Sequence, residues 1–266
     1  MEVLDVVTAD KQKTQNQKTS EVRYLIPENE YDYNHPEVIH WTNYFQKEAD
    51  KHNVFVNIKA TITAKRSIVA AESMATAWYD FTRYVPSFIC KAVAQTDDAE
   101  RQHHLIQIAY DELGGRDKDF IHSHLYLDAL DKAGIQMMSE SLASIKGVLH
   151  SLDHTLTSMK SQFGIVGLLL SFEIIAEENI EMLFNCLCYE ERVESILSAT
   201  KFFKIHRADE TEHIRHSIAN FLRFCKTEQQ RHEFKLAFDA GIDYWQRFWD
   251  QNARIINMET DVRKLA

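Results

Sequence analysis

The stretch Phe202-Phe203-Lys204-Ile205-His206-Arg207-Ala208-Asp209-Glu210-Thr211-Glu212-His213 sets the reading of this chain. Its histidine, glutamate and second histidine are spaced four and then three residues apart. On a helix that advances about 100° per residue, His206, Glu210 and His213 fall within an arc of about 60°. All three side chains can then reach one point, and two imidazoles with a carboxylate make a ligand set for a metal ion. The competing reading is a solvated, charge-rich helix face, so the decision rests on whether further ligands occur elsewhere.

The composition supports helices throughout. Only 7 Gly and 3 Pro occur among 266 residues, and apolar residues recur mostly at spacings of three and four, which points to an all-α fold. Residues 1–30 are polar and rich in Lys and Gln, and are expected to form a flexible N-terminal arm; residues 31–266 are expected to form a single helical domain. Helices are expected at 36–52, 55–73, 75–94, 97–113, 118–132, 137–160, 163–188, 192–226 with a break near Ser198, and 228–257. Pro86 should kink the third, Thr96 or Asp97 should cap the fourth, and Gly114-Gly115 should stop it. The stripe Phe234, Phe238, Trp245, Phe248, Trp249 reads as the packing face of the last helix.

Several function classes are disfavoured. The net charge is -10, and no Lys/Arg cluster is present to neutralise phosphates, so nucleic acid is not an expected partner. The longest apolar run, Gly164 to Phe172, is far too short for a bilayer core of about 30 Å. Residues 1–20 lack the apolar segment of a secretory signal. Cys90, Cys186, Cys188 and Cys225 sit in apolar helical patterns and are expected to be reduced core residues, consistent with the cytoplasm.

Further ligand candidates lie upstream. Glu112 closes a helix directly before two glycines, where the macrodipole disfavours a carboxylate by about 0.3–1 kcal/mol unless a cation compensates. The glycine break should fold the next helix back, bringing His122 opposite Glu112. Glu173 interrupts the most apolar stretch, 165–175, where a lone ionised carboxylate would cost several kcal/mol. Glu177 and Glu181 share nearly the same stripe, with Glu177 the alternative to Glu173 if the register differs.

Taken in order, Asp111-Glu112-Leu113-Gly114 with His122, an apolar helix carrying Glu173, and Phe203 followed by His206-x3-Glu210-x2-His213 resemble the haem-oxygenase-like diiron oxidase and oxygenase family over residues 75–225. The resemblance implies a haem-oxygenase-like helical bundle. It also implies two irons, with Mn the alternative metal, held by Glu112, His122, Glu173, His206, Glu210 and His213. The activity implied is O2-dependent oxidation or fragmentation of a small amino acid, fatty acid or aromatic metabolite. Carboxylates and imidazoles without thiolates suit Fe(II) or Mn(II) over structural zinc. One departure is Glu210, where the family usually has Asp; Asp209 lies one residue earlier and off the stripe. Within the family the chain is related to the chlamydial death-domain-associated protein, which modifies its own side chains. Leu183 stands ten residues beyond Glu173, where that member has Lys, so self-modification is not expected here.

Two rival readings stand beside this one. A ferritin-like diiron protein would use Glu100-x2-His103, Glu210-x2-His213 and Glu72, although Glu100 in the first turn of its helix is better explained by the helix dipole. A non-enzymatic helical interaction protein is the other. A metal-free hydrolase of the same architecture would need a nucleophilic cysteine with an acid partner, and none is evident. Tyr79, Tyr84, Phe88, Tyr126 and Phe172 fall near the ligands and are read either as a substrate pocket or as core, and Arg66 or Lys59 either as a carboxylate anchor or as surface. Association into a homodimer is compatible with the sequence.

Overall fold

The computed structural model describes residues 35–265 apart from 139–141 and 209; of 208, 210–213, 216 and 259–265 it describes the backbone alone. The expected N-terminal arm, 1–30, lies outside the described residues. The chain is a succession of helices, and no strand occurs among the described residues. They are α1 (Pro36–Asp50), α2 (Val56–Lys65), α3 (Ile68–Ala94), α4 (Ala99–Glu112), α5 (His122–Ala133), α6 (Ala143–Ser158), α7 (Gln162–Ile174), α8 (Ala176–Leu187), α9 (Glu191–Ala199), α10 (Lys201–Ala208), α11 (Glu210–Phe224) and α12 (Glu228–Leu265).

Local chemistry moves several boundaries from where periodicity puts them. The expected helix 55–73 ends at Lys65, because Arg66 is extended and the Ser67 hydroxyl accepts the Ala70 N–H at 3.3 Å, starting α3 seven residues early. Pro86 lies within α3, which continues through it to Ala94. The cap of α4 is Asp98, whose carboxylate accepts the Arg101 N–H at 2.9 Å; Asp97 instead accepts from the Gln162 side chain. The expected helix 163–188 is two, broken at Ile175, whose φ of -114° and ψ of 16° leave the helical range. The break expected near Ser198 falls at Thr200, whose hydroxyl donates to the Leu197 carbonyl at 2.7 Å while its backbone turns extended.

The core is organised along α12, which packs against α7. Two glycines permit the contact. A methyl group on Gly167 of α7 would stand 2.1 Å from the Phe234 carbonyl oxygen, and one on Gly241 of α12 would stand 1.9 Å from Ser171 Oγ. Phe234, Phe238, Trp245, Phe248 and Trp249 are all at most 2% exposed, as their spacing predicts. Each contributes roughly 1.5–3 kcal/mol through apolar burial, and Trp249 satisfies its indole N–H on Asn179 Oδ1 at 2.8 Å. Cys186, Cys188 and Cys225 are buried and free, but Cys90 is exposed on α3, contrary to the expectation of a core residue. Its place in an apolar pattern put it on the wrong face.

Because the neighbour of Gly167 is backbone, which cannot swing aside, Gly167→Ala should lower stability by at least about 2 kcal/mol. Gly147→Ala, in α6 with nothing within 4 Å, should be neutral or stabilise by up to about 1 kcal/mol through helix propensity. Urea unfolding of the two variants beside the parent protein measures both.

Candidate metal centre

The α4–α5 connection brings Glu112 to His122. After Glu112 the chain passes through Gly114 at φ 87° and Gly115 at φ 60°, and the Gly115 N–H returns to the Tyr110 carbonyl at 2.8 Å, closing the helix end. A side chain at Gly114 would lie 2.5 Å from the Asp117 carbonyl oxygen and 2.7 Å from the Ile121 nitrogen, so the turn admits only glycine. Asp117 then accepts the Asp119 N–H at 2.9 Å and starts a short 3-10 turn, 118–120, ahead of α5. The expected start of α5 at 118 is therefore early by four residues, and His122 is its first helical residue. Glu112 Oε2 lies 3.1 Å from His122 Nδ1, with the two side chains 24% and 19% exposed. The carboxylate that the C-terminus of α4 disfavours thus sits at the N-terminus of α5, where the dipole favours it.

His206 joins them from α10. Its ring centroid is 4.7 Å from that of His122, nearly edge-on at 64°, and 4.3 Å from that of Phe202. Nδ1 of His206 is 2.8 Å from the Phe202 carbonyl oxygen one turn earlier. A carbonyl can only accept, so Nδ1 carries a proton. That arrangement, with the far nitrogen anchored, is how proteins orient an imidazole for a metal. Phe202 itself is buried and packs on Tyr126 at 5.0 Å. The carbonyl anchor is invisible as a motif, though its position four residues before His206 would have found it.

Glu173 is the penultimate residue of α7. It is only half-buried, because the buried run of α7 ends at Ser171 and resumes at Ile174, so the penalty argued from its apolar surroundings is smaller than expected. Glu177 is exposed in the first turn of α8, beyond the Ile175 break. Glu181 is committed elsewhere: Arg207 donates to its two carboxylate oxygens at 2.6 and 3.2 Å while stacking on Phe184 at 4.2 Å. Glu210 and His213 fall on α11, and their side chains lie outside the described residues. Among the described residues no three His, Cys, Asp or Glu side chains surround a single metal position.

Neighbouring candidates separate from the site. Glu100 pairs with Arg223 at 2.5 Å and His103 faces Gln107 at 3.0 Å on the exposed side of α4, which weighs against the ferritin-like pairing. Burial pushes the thiols of Cys188 and Cys225 up to about 12, and that of Cys186 up further, so none of the three supplies a thiolate nucleophile near neutral pH. Phe88 and Tyr126 are core residues, while Tyr79, Tyr84 and Phe172 are half-buried; Arg66 and Lys59 are exposed, Lys59 lying over the Phe55 ring.

Comparison with known proteins bears on the family and the fold. A family described as iron-containing redox enzyme matches residues 73–246, a span that includes Glu112, His122, Glu173, His206, Glu210 and His213. The chain belongs to that family. A CADD-like protein of unknown function from Nostoc punctiforme PCC 73102 is similar in structure at a TM-score of 0.65 and 16% identity, over 82% of this chain and 96% of that one. A domain of unknown function with a heme oxygenase-like fold from Shewanella denitrificans OS217 is similar at a TM-score of 0.59 and 15% identity, over 86% and 94%. These likenesses fix the fold as all-α and haem-oxygenase-like. No curated protein matches the chain, and no helix among the described residues is long and apolar enough to cross a membrane.

Family membership and the Glu112–His122–His206 grouping lead to a defined expectation. Glu112→Gln and His122→Asn should each weaken iron binding at least ~10-fold, whereas Glu100→Gln and His103→Asn should leave it unchanged. Competition titration against a chromophoric ferrous chelator provides the measurement.

Proposed function

We propose that the protein is an O2-dependent oxidase or oxygenase that holds two irons with Glu112, His122, Glu173, His206, Glu210 and His213 and oxidises a small metabolite. The observation that carries this reading is the juxtaposition of Glu112, His122 and His206 from three helices, with Nδ1 of His206 directed to the Phe202 carbonyl so that the imidazole is oriented by the helix backbone. The donor set fits iron: oxygen and imidazole ligands without a thiolate suit Fe(II) and leave Mn(II) as the alternative. When bound, iron supplies the electrons that reduce O2.

The chain's own residues supply the setting. Glu112 and His122 are held by a glycine turn instead of by long flexible side chains, which limits how far they reorganise during a reaction. His206 keeps one imidazole orientation because its proton is committed to a backbone oxygen. Phe202, Tyr126 and Phe203 are buried beneath the histidines and keep that side of the site dry. The Arg207–Glu181 pair ties α10 to α8 immediately beside His206. The substrate reading is a small amino acid, fatty acid or aromatic metabolite, and the localisation reading is the cytoplasm.

Elemental analysis after anaerobic loading should give close to two irons per chain, and ferrous protein should consume O2 faster than free Fe(II). Less than half an equivalent of iron in folded protein would sink the reading. On an ideal helix Glu210 would share the stripe of His206 and His213, and Asp209 would be rotated by about 100° from it. Glu210→Ala should therefore lose one iron while Asp209→Ala keeps both; the reverse result would mean that the stripe is wrongly registered by one residue.

A further inference from the structure

A surface-connected tyrosine stands at the end of an aromatic column that reaches Phe172 on α7, the residue before Glu173. Tyr84 on α3 is half-buried, and its hydroxyl donates to Asp153 Oδ1 of α6 at 2.7 Å. Lys91, two turns further along α3, donates to both Asp153 oxygens at 2.7 and 2.8 Å. The Lys91 and Asp153 side chains are 41% and 28% exposed, so this end of the arrangement is open to solvent. Inward, the Tyr84 ring lies 5.8 Å from Phe88, and Phe88 stacks at 5.7 Å on Phe172, the residue preceding Glu173.

The other tyrosines near this column lack what Tyr84 has. Tyr244 stacks on Phe172 at 5.8 Å, but its buried hydroxyl has no hydrogen-bond partner. Tyr126 reaches only the Ala75 carbonyl at 3.4 Å. Among the described residues Tyr84 is the tyrosine whose hydroxyl meets a carboxylate. The distinction matters chemically, because a phenol gives up an electron readily only if its proton has somewhere to go. Burial, and then the bond to Asp153, hold the Tyr84 phenol protonated far above its ordinary range. Burial raises the Asp153 carboxyl, but the hydrogen bonds from Lys91 and Tyr84 outweigh it and keep the group an anion, ready to accept.

We propose that Tyr84 is a one-electron redox residue, with Asp153 its proton acceptor and Lys91 the charge that keeps Asp153 anionic, carrying electrons between the protein surface and the iron site. The inward half of this rests on the iron reading above. In the step, the Tyr84 O–H bond breaks, one electron leaves the phenol for a one-electron oxidant, and the proton forms a new O–H bond on Asp153. The products are a neutral tyrosyl radical and a carboxylic acid. The oxidant is the iron centre after O2 reduction, and a small soluble one-electron reductant then restores the phenol, with Asp153 returning the proton.

The test begins without iron. The full chain is oxidised by photogenerated tris(bipyridine)ruthenium(III), and the tyrosyl radical is followed by freeze-quench electron paramagnetic resonance. The unaltered protein should give a tyrosyl signal that Tyr84→Phe largely removes and Tyr244→Phe leaves in place. Asp153→Asn can keep the hydrogen bond but cannot take the proton, and should slow radical formation at least ~10-fold. An undiminished signal in Tyr84→Phe, or an unchanged rate in Asp153→Asn, overturns the proposal. So does an equal rate in H2O and D2O for the unaltered protein, a measurement that depends on no variant folding. In iron-loaded protein, Tyr84→Phe should slow the reduction of ferric iron by ascorbate with iron content unchanged. An unchanged reduction rate at full iron content defeats the relay and leaves the iron reading standing, whereas absence of iron in the unaltered chain defeats that reading and leaves the radical measurement interpretable.

Discussion

Backbone contact between α7 and α12 is the constraint on which the rest of the bundle depends. Gly167 and Gly241 let the two helices approach until backbone and short side chains touch, closer than any larger residue would permit. The aromatic residues of α12 then fill the space on either side, with Trp245 against Phe81 at 4.9 Å and Phe172 at 5.2 Å. Close packing of this kind has little slack, so α7 cannot drift relative to the core. Glu173 is carried at the end of that fixed helix, two residues before the chain changes direction at Ile175.

The candidate centre is assembled differently from the core around it. Its residues come from helix ends and short helices: the last residue of α4, the first of α5 and the last turn of α10. Helix termini are where backbone groups and dipoles are exposed to a ligand, and where a carboxylate can be aimed without burying the whole element. The long helices α3, α7 and α12 supply rigidity, while the terminal residues supply donors. The half-burial of Glu112 and His122 fits a site that a small molecule can approach, with buried Phe202 behind it.

Much of this was legible in the sequence, for reasons that can be named. The near absence of Gly and Pro together with periodic apolar residues gave the all-α class, and two adjacent glycines between Glu112 and His122 gave the fold-back that places them side by side. Helix breaks were the harder part. Ser67 and Thr200 end or begin helices through single hydroxyl hydrogen bonds inside otherwise continuous apolar patterns, and periodicity does not register one hydroxyl. Ile175 breaks a run of strongly apolar residues with no Gly or Pro to signal it. Glu181 shared a stripe with Glu173 on a continuous helix, and the break at Ile175 and the pairing with Arg207 give it a different role. Cys90 shows the same limit in reverse, since an apolar neighbourhood in sequence did not give it a buried position in space.

The anchor of His206 has a consequence for divergence. Its acceptor is the carbonyl of residue 202, a group every amino acid carries, so side-chain replacement at that position does not delete the acceptor. The helix itself transmits the imidazole orientation, and the histidine is the one side chain in the pair that inheritance must preserve. Mutational drift can then rewrite the neighbouring side chains without erasing the pose, a robustness suited to a fold that is still superposable on structures with only 14–16% identical residues.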